Sequence, residues 1–243
     1  MLSAVLLDVG GTLWPEPIAA ADRDDGRLAR LQLLLPSVDP HRALEVLKCH
    51  MQRASEPLEH DVAGAVRLAL EELGLDPDCV ATFAVVRAMC VPAVSLIQLF
   101  PGTRELLLTV RDLALRCVVL SNTTFRGAAE YWLDFQDFNV ADLIDQVITS
   151  MDVGYRKPHP EMFAAAIAAA GCAPGACVMV GNSEMNDIRP AASLGMRTIR
   201  VAIDETRPEA TVADLAATSL DEVASAIRRW CEAGEVVVSP AAT

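Results

Sequence analysis

The chain has 243 residues, 52% hydrophobic and 5% aromatic, with a formal net charge of -13. That length and hydrophobicity suit one large folded domain, or a domain with an inserted module, and exclude a disordered chain. The acidity makes nucleic acid and anionic membranes poor partners, so an anionic small molecule would need a local positive site working against the field of the whole protein.

The first element is the apolar run Ala4-Val5-Leu6-Leu7, ending in Asp8-Val9-Gly10-Gly11-Thr12. The run is too short for a helix and predicts a buried central strand. The glycines permit a turn with positive φ and close approach of a ligand. Asp8 therefore belongs at the carboxyl end of that strand, where open α/β sheets bind ligands. It is either a turn cap or a nucleophile and metal ligand.

After the loop Pro15-Glu16-Pro17, periodicity predicts a helix over about 18–35, with Leu28, Leu31, Leu34 and Leu35 on one face. Asp39-Pro40 opens a second helix running to about residue 55. Val62, Val66, Leu70 and Leu73 mark a third, closed by Gly74. Asp76-Pro77 repeats the start signal for a fourth, carrying Val80, Phe83, Ala84 and Met89. Four amphipathic helices with short links read as an all-α bundle, inserted over residues 14–98 into a core formed by 1–13 and 99–243.

Alternation then resumes: a helix from 103 to about 115, a strand at 116–120 ending in Ser121-Asn122-Thr123-Thr124, and a helix near 126–133. A strand at 146–149 leads to a loop over 152–158 that contains Lys157. A helix runs from Pro160 to Gly171, then a strand at 177–180 ends in Gly181-Asn182-Ser183. A helix at 187–194, a strand at 197–201 and a helix at 221–231 complete the series. This is the rhythm of an α/β fold: a doubly wound, Rossmann-like parallel sheet with an inserted helical bundle. The seven cysteines show no Cys-x-x-Cys pair, and the four histidines show no zinc spacing with them. Reduced thiols point to a cytoplasmic protein; no apolar run reaches the roughly 20 residues of a membrane span.

Strand ends converge on one crevice in such a sheet. Here they bring Asp8, Ser121 with Asn122, Lys157, and Asn182 with Asp187. A carboxylate, a hydroxyl, an ammonium and a second carboxylate suit a phosphate-like anion. Gly11, Thr12, Asn122 and Thr123 are the expected substrate contacts. Taken singly, Ser121-Asn122 also reads as a helix cap, Lys157 as a solvated loop lysine and Asp187 as a dipole partner.

Order and spacing make the set specific. The matching stretches are Leu7-Asp8-Val9-Gly10-Gly11-Thr12-Leu13, Phe100-Pro101-Gly102-Thr103, Leu120-Ser121-Asn122-Thr123, Gly154-Tyr155-Arg156-Lys157-Pro158-His159-Pro160-Glu161-Met162-Phe163 and Val180-Gly181-Asn182-Ser183-Glu184-Met185-Asn186-Asp187-Ile188, followed by Ala191-Ala192 and Leu194-Gly195-Met196. With these the chain resembles the haloacid dehalogenase-like hydrolase superfamily, in the branch with a helical cap after the first strand. The resemblance implies a hydrolase, a phosphatase acting on a small phosphorylated metabolite. In it Asp8 attacks and forms an aspartyl intermediate, Ser121 holds a phosphate oxygen, and Lys157 steadies the charge. Asp8, the Gly10 carbonyl, Asn182 and Asp187 would hold Mg²⁺, and the cap would close the site and select the substrate.

Two positions depart from that pattern. Family phosphatases carry an acid–base aspartate where Gly10 stands, and glycine cannot transfer a proton. A ligand aspartate is usual where Asn182 stands, and an amide brings an oxygen without charge. The Mg²⁺ site is therefore expected to be weakened or absent. The alternatives are a base supplied elsewhere (Glu16, Asp22 or Glu184), metal-independent displacement of the dehalogenase type, or a catalytically weak binding protein. Arg23, Arg27 and Arg30 either receive an anion from the cap side or form a solvated helix face. The oligomeric expectation is a monomer or homodimer.

Overall fold

The computed structural model describes residues 1–15, 24–55, 58–93, 97–203 and 210–234. β1 (Ala4–Leu7) is buried along its whole length. It is followed by α1 (Asp24–Leu34), α2 (Pro40–Ala54), α3 (Val62–Glu72) and α4 (Thr82–Met89). Then come α5 (Thr103–Asp112), β2 (Arg116–Ser121), α6 (Ala128–Asp137), β3 (Gln146–Thr149), α7 (Ser150–Val153) and α8 (Pro160–Ala170). β4 (Cys177–Gly181), a π-helical turn at Glu184–Ile188, α9 (Arg189–Ser193), β5 (Arg197–Val201), β6 (Leu215–Ala217) and α10 (Leu220–Glu232) complete the described chain.

Among the described residues the sheet has six strands in the order β3-β2-β1-β4-β5-β6, and every pair is parallel. Side chains alternate between its faces as strand geometry demands. Val5, Leu7, Val119 and Val180 pack under α5, α6 and α10. Ala4, Leu6, Leu120 and Met179 pack under α8 and α9. β1 lies between β2 and β4. The connections diverge there, so the carboxyl ends of these three strands open a crevice.

The helices α1 to α4 enclose a separate apolar cluster that includes Leu31, Leu47, Leu70, Val85 and Met89. Asp39 caps α2 by accepting from the Arg42 N–H at 3.0 Å, with Pro40 at the first helical position. Asp61 caps α3 through the Gly64 N–H at 2.8 Å. Trp14, Ala93 and Ile97 pack with the sheet rather than with these helices, and Trp14 stacks on Tyr131 at 5.8 Å.

Of the first helix expected over about 18–35, residues 16–23 lie outside the described residues and α1 covers Asp24–Leu34. Other local expectations are corrected. Asp76 caps a turn through the Asp78 N–H at 3.0 Å, so α4 starts only at Thr82. In that register Phe83 points outward, 68% exposed, while Val85, Val86, Ala88 and Met89 face the cluster. The expected 187–194 helix is instead the π-helical turn followed by α9, and β6 falls on Leu-Ala-Ala, a sequence without a strand pattern.

The register of α4 gives a paired test. Met89→Ala should cost about 2–5 kcal/mol of unfolding free energy. Phe83→Ala should change it by no more than about 0.5 kcal/mol. Chemical denaturation of the two variants measures both, and comparable losses would place Phe83 in the core.

Candidate active site

Asp8 leaves β1 with its N–H donating to the Val180 carbonyl at 2.9 Å, so its backbone is pinned to β4. The following turn is internally closed. Thr12 and Leu13 N–H groups both donate to the Val9 carbonyl, at 3.1 and 2.8 Å, and the Gly11 N–H donates to the Trp14 carbonyl at 2.7 Å. Gly11 has φ of 73°, the left-handed region that favours glycine. The Thr12 hydroxyl is fully buried and donates to Asp8 Oδ2 at 3.2 Å. Gly11 and Thr12, expected as substrate contacts, therefore build the turn and orient Asp8; neither lines the cavity described below.

Lys157 draws the strand ends together. Its buried Nζ donates to Asp8 Oδ1 at 2.6 Å, to Asp187 Oδ1 at 2.6 Å and to the Leu120 carbonyl at 2.8 Å. All three ammonium donors are engaged. Burial alone would lower the Lys157 pKa, but the charges of Asp187 and Asp8 outweigh it and hold the group at about 12. Two buried carboxylates share this one ammonium. Burial, together with the negative charge of Asp8, pushes Asp187 up to about 6 against the pull of Lys157. Asp187 Oδ2 also accepts the Ser183 N–H at 3.0 Å.

Neighbouring side chains hold this arrangement. The Asn122 amide brackets the Lys157 backbone, accepting its N–H at 2.7 Å and donating to its carbonyl at 2.9 Å. Asn122, expected to contact substrate, has its amide committed to positioning the lysine. Ser121 Oγ lies 3.0 Å from the Tyr131 hydroxyl. The Thr123 N–H donates to Ser150 Oγ at 2.9 Å. Gly181 leaves room for Asp187: a Cβ there would lie 2.5 Å from its carboxyl carbon.

A cavity of about 710 Å³ lies above these groups. Asp8, Gly10, Ser121, Asn122, Thr123, Lys157, Asn182 and Asp187 line its sheet side, and Arg27, Lys48 and Gln52 of the helical module line the opposite side. Arg27 is buried, donating to the Met89 carbonyl at 2.7 Å and to Asp24 at 3.3 Å, with its guanidinium over the Phe125 ring. That corrects the solvated-face alternative for Arg27. Arg30 instead bonds the Ala88 and Cys90 carbonyls at 2.9 and 2.7 Å and does not line this cavity. Glu184 is turned away, bonding Thr211 at 2.7 Å, the Val212 N–H at 3.1 Å and Arg189 at 3.2 Å. Glu16, Asp22 and Arg23 lie outside the described residues.

Tyr131, Lys48, Arg126 and Arg156 also line the cavity. None was singled out from sequence. Tyr131 recurs with Phe135 and Phe138 on one helical face, a pattern of ordinary core packing, and nothing local separates the three cations from surface charge.

Oxygens for a metal come from the Asp8 and Asp187 carboxylates, the Asn182 amide and the Gly10 carbonyl. Among the described residues no group of three or more His, Cys, Asp or Glu is arranged to hold an ion. The oxygen set nevertheless fits a hard divalent cation in kind. Lys157 offsets only one of the two buried carboxylates, leaving a negative charge that such a cation would balance.

The model for haloacid dehalogenase-like hydrolases matches residues 2–195. The chain belongs to that family. It is similar to a glyceraldehyde 3-phosphate phosphatase of Methanopyrus kandleri, 27% identical over 207 residues, covering 83% of this chain and 84% of that protein. It is 26% identical to a ribulose-1,5-bisphosphate 5-phosphatase of Halopiger xanaduensis over 90% of this chain and 92% of that one. A 32% match to a glyceraldehyde 3-phosphate phosphatase of Methanothermobacter thermautotrophicus spans 47% of this chain and half the length of that relative. The fold is shared with the crystal structure of a 2-haloacid dehalogenase from Pseudomonas syringae, at TM-score 0.65 and 21% identity over 95% of this chain and 100% of that one. No helix among the described residues is long and apolar enough to cross a membrane.

Two outcomes follow from this geometry. Gly181→Ala should displace the Asp187 carboxylate, costing about 1–3 kcal/mol of stability; a crystal structure of the variant with Asp187 unmoved would contradict the close-packing account. The second concerns His60, buried where the helical module meets the 154–156 segment, with Nδ1 3.1 Å from Ser150 Oγ. Burial, aided by the charge of Arg156, lowers its pKa to about 4. The unfolded chain binds this proton near pH 6.5, so the neutral ring's contribution is complete above that pH and is lost as pH falls towards 4. The loss should reach up to about 3 kcal/mol. Comparing unfolding free energies of the wild type and His60→Gln across that window isolates it; parallel pH profiles would refute it.

Proposed function

We propose that the protein is a phosphatase acting on a small phosphorylated metabolite, with Asp8 as nucleophile. The observation that supports this most is the single ammonium holding Asp8 and Asp187 at 2.6 Å each on the sheet side of a cavity. In this reading a carboxylate oxygen of Asp8 attacks phosphorus, and the bond from phosphorus to the ester oxygen breaks. The alcohol leaves with a proton drawn from water. Water then attacks the aspartyl phosphate at phosphorus, releasing inorganic phosphate and regenerating Asp8. Lys157 keeps the attacking carboxylate oriented and offsets negative charge on the transferring group. Ser121, aligned by Tyr131, holds a phosphoryl oxygen, and Thr123 lies beside it.

Asp8, the Gly10 carbonyl, Asn182 and Asp187 are the residues that would hold Mg²⁺, more weakly than a set with a third carboxylate. The ion, when bound, would neutralise phosphoryl charge. The helical module, from about residue 14 to 98, serves as the cap, and free thiols throughout fit a cytoplasmic protein. The glyceraldehyde 3-phosphate and ribulose bisphosphate phosphatases named above support a small phosphorylated substrate.

Gly10 favours a second reading, displacement without an acid–base residue, as in halide release from a 2-haloacid, because position 10 carries no proton-transferring group. The two are separated by assaying phosphate release from a metabolite panel with Mg²⁺ and halide release without it. Phosphate release abolished by Asp8→Asn supports the first; halide release alone supports the second. A Cβ at position 10 would meet no atom within 4 Å. Gly10→Asp should therefore fold and raise phosphatase turnover at least about tenfold, since a placed acid–base group contributes 10²- to 10⁴-fold. No gain in a folded Gly10→Asp variant would count against the absent acid as the rate limit.

A further inference from the structure

The cavity holds five cations in a chain of net charge -13. Four are matched by carboxylates: Lys157 by Asp8 and Asp187, Arg27 and Lys48 by Asp24, and Arg126 by Asp134. Arg156 has no carboxylate partner among the described residues. Among the described residues its side chain makes one hydrogen bond, from Nη1 to the Thr123 carbonyl at 2.8 Å. The rest of its planar fork, Nε and Nη2, has no partner among the described residues. A half-buried guanidinium with an open edge is suited to bidentate capture of a carboxylate or phosphoryl group.

Arg156 stands where the helical module meets the loop before Lys157. The Arg156 side chain is tied to Thr123, two residues past Ser121, and its N–H donates to the Leu58 carbonyl of the helical module at 2.7 Å. The charge bears on His60 at that junction, whereas Asp8 and Asp187 are the charges that bear on Lys157. Across the cavity Arg27 uses Nε and Nη1 and leaves Nη2 without a partner among the described residues. A volume of about 710 Å³ houses a whole small molecule rather than a phosphate group alone.

We propose that Arg156, with Arg27 lining the same cavity, anchors a second anionic group on the substrate, so that the preferred substrate is a phosphate ester bearing a carboxylate or another phosphoryl group. This rests on the phosphatase reading for the first group.

The test uses two matched pairs: 3-phosphoglycerate against glycerol 3-phosphate, and fructose 1,6-bisphosphate against fructose 6-phosphate. Turnover is measured as kcat/KM and binding by calorimetry. The wild type should prefer the more anionic member of at least one pair, and which pair distinguishes carboxylate from phosphoryl. Arg156→Met should shrink that preference by about 10- to 100-fold, through KM, as expected for losing a charge-assisted bond. Arg156→Lys should restore part of it. No wild-type preference in either pair, or an equal loss for both members in Arg156→Met, overturns the anchor. Absent turnover with Arg156-dependent binding preference would sink the phosphatase reading and leave the anchor standing. Turnover without preference does the reverse.

Discussion

A single buried ammonium holds the site together. Lys157 reaches the end of β1 through Asp8, the end of β2 through the Leu120 carbonyl, and the turn after β4 through Asp187. These contacts span three adjacent strands, so one side chain ties the mouth of the sheet where the topology opens it. Ion groups this deep add little net stability, because desolvation offsets much of their attraction. Their worth here is geometric: they fix where the Asp8 carboxylate stands. The supporting parts serve the same end, with Asn122 bracketing the lysine backbone, Thr12 bonding Asp8 and Gly181 making way for Asp187.

The charge count within the triad explains why two unusual positions matter together. One ammonium faces two carboxylates, and burial, with the charge of Asp8 added to it, raises the pKa of Asp187. Asn182 adds an oxygen without deepening that charge, and Gly10 adds only backbone. Neither position brings a side chain able to pass a proton, while the buried lysine and its two carboxylates stay in place.

Much of this was legible in the residues. Short apolar runs ending in Asp8, Ser121 and Gly181 marked the strands, since a central parallel strand must be apolar on both faces. Asp39-Pro40 marked a helix start because capping is local chemistry. Motif order alone brings Asp8, Lys157 and Asp187 to one place. What escaped depends on register and long-range partners. Phe83 faces solvent because α4 begins later than Asp76-Pro77 suggests. The Gly11 N–H, the Thr12 hydroxyl and the Asn122 amide bond the protein itself, internal partners that spacing alone does not reveal. Arg27 was read in part, and Arg156 and Tyr131 were missed, because an arginine or tyrosine acquires its role only from what folds opposite it.

The segment just before Lys157 is also stitched to the helices. Leu58 accepts the Arg156 N–H, His60 donates to the Gly154 carbonyl, and Glu59 pairs antiparallel with Tyr155. These backbone bonds make residues 58–60 and 154–156 a single ribbon leading straight into the ammonium. The wall of the chamber and the segment that carries the ammonium are therefore continuous: the backbone that borders the helices at 58–60 is bonded to the residues immediately before Lys157.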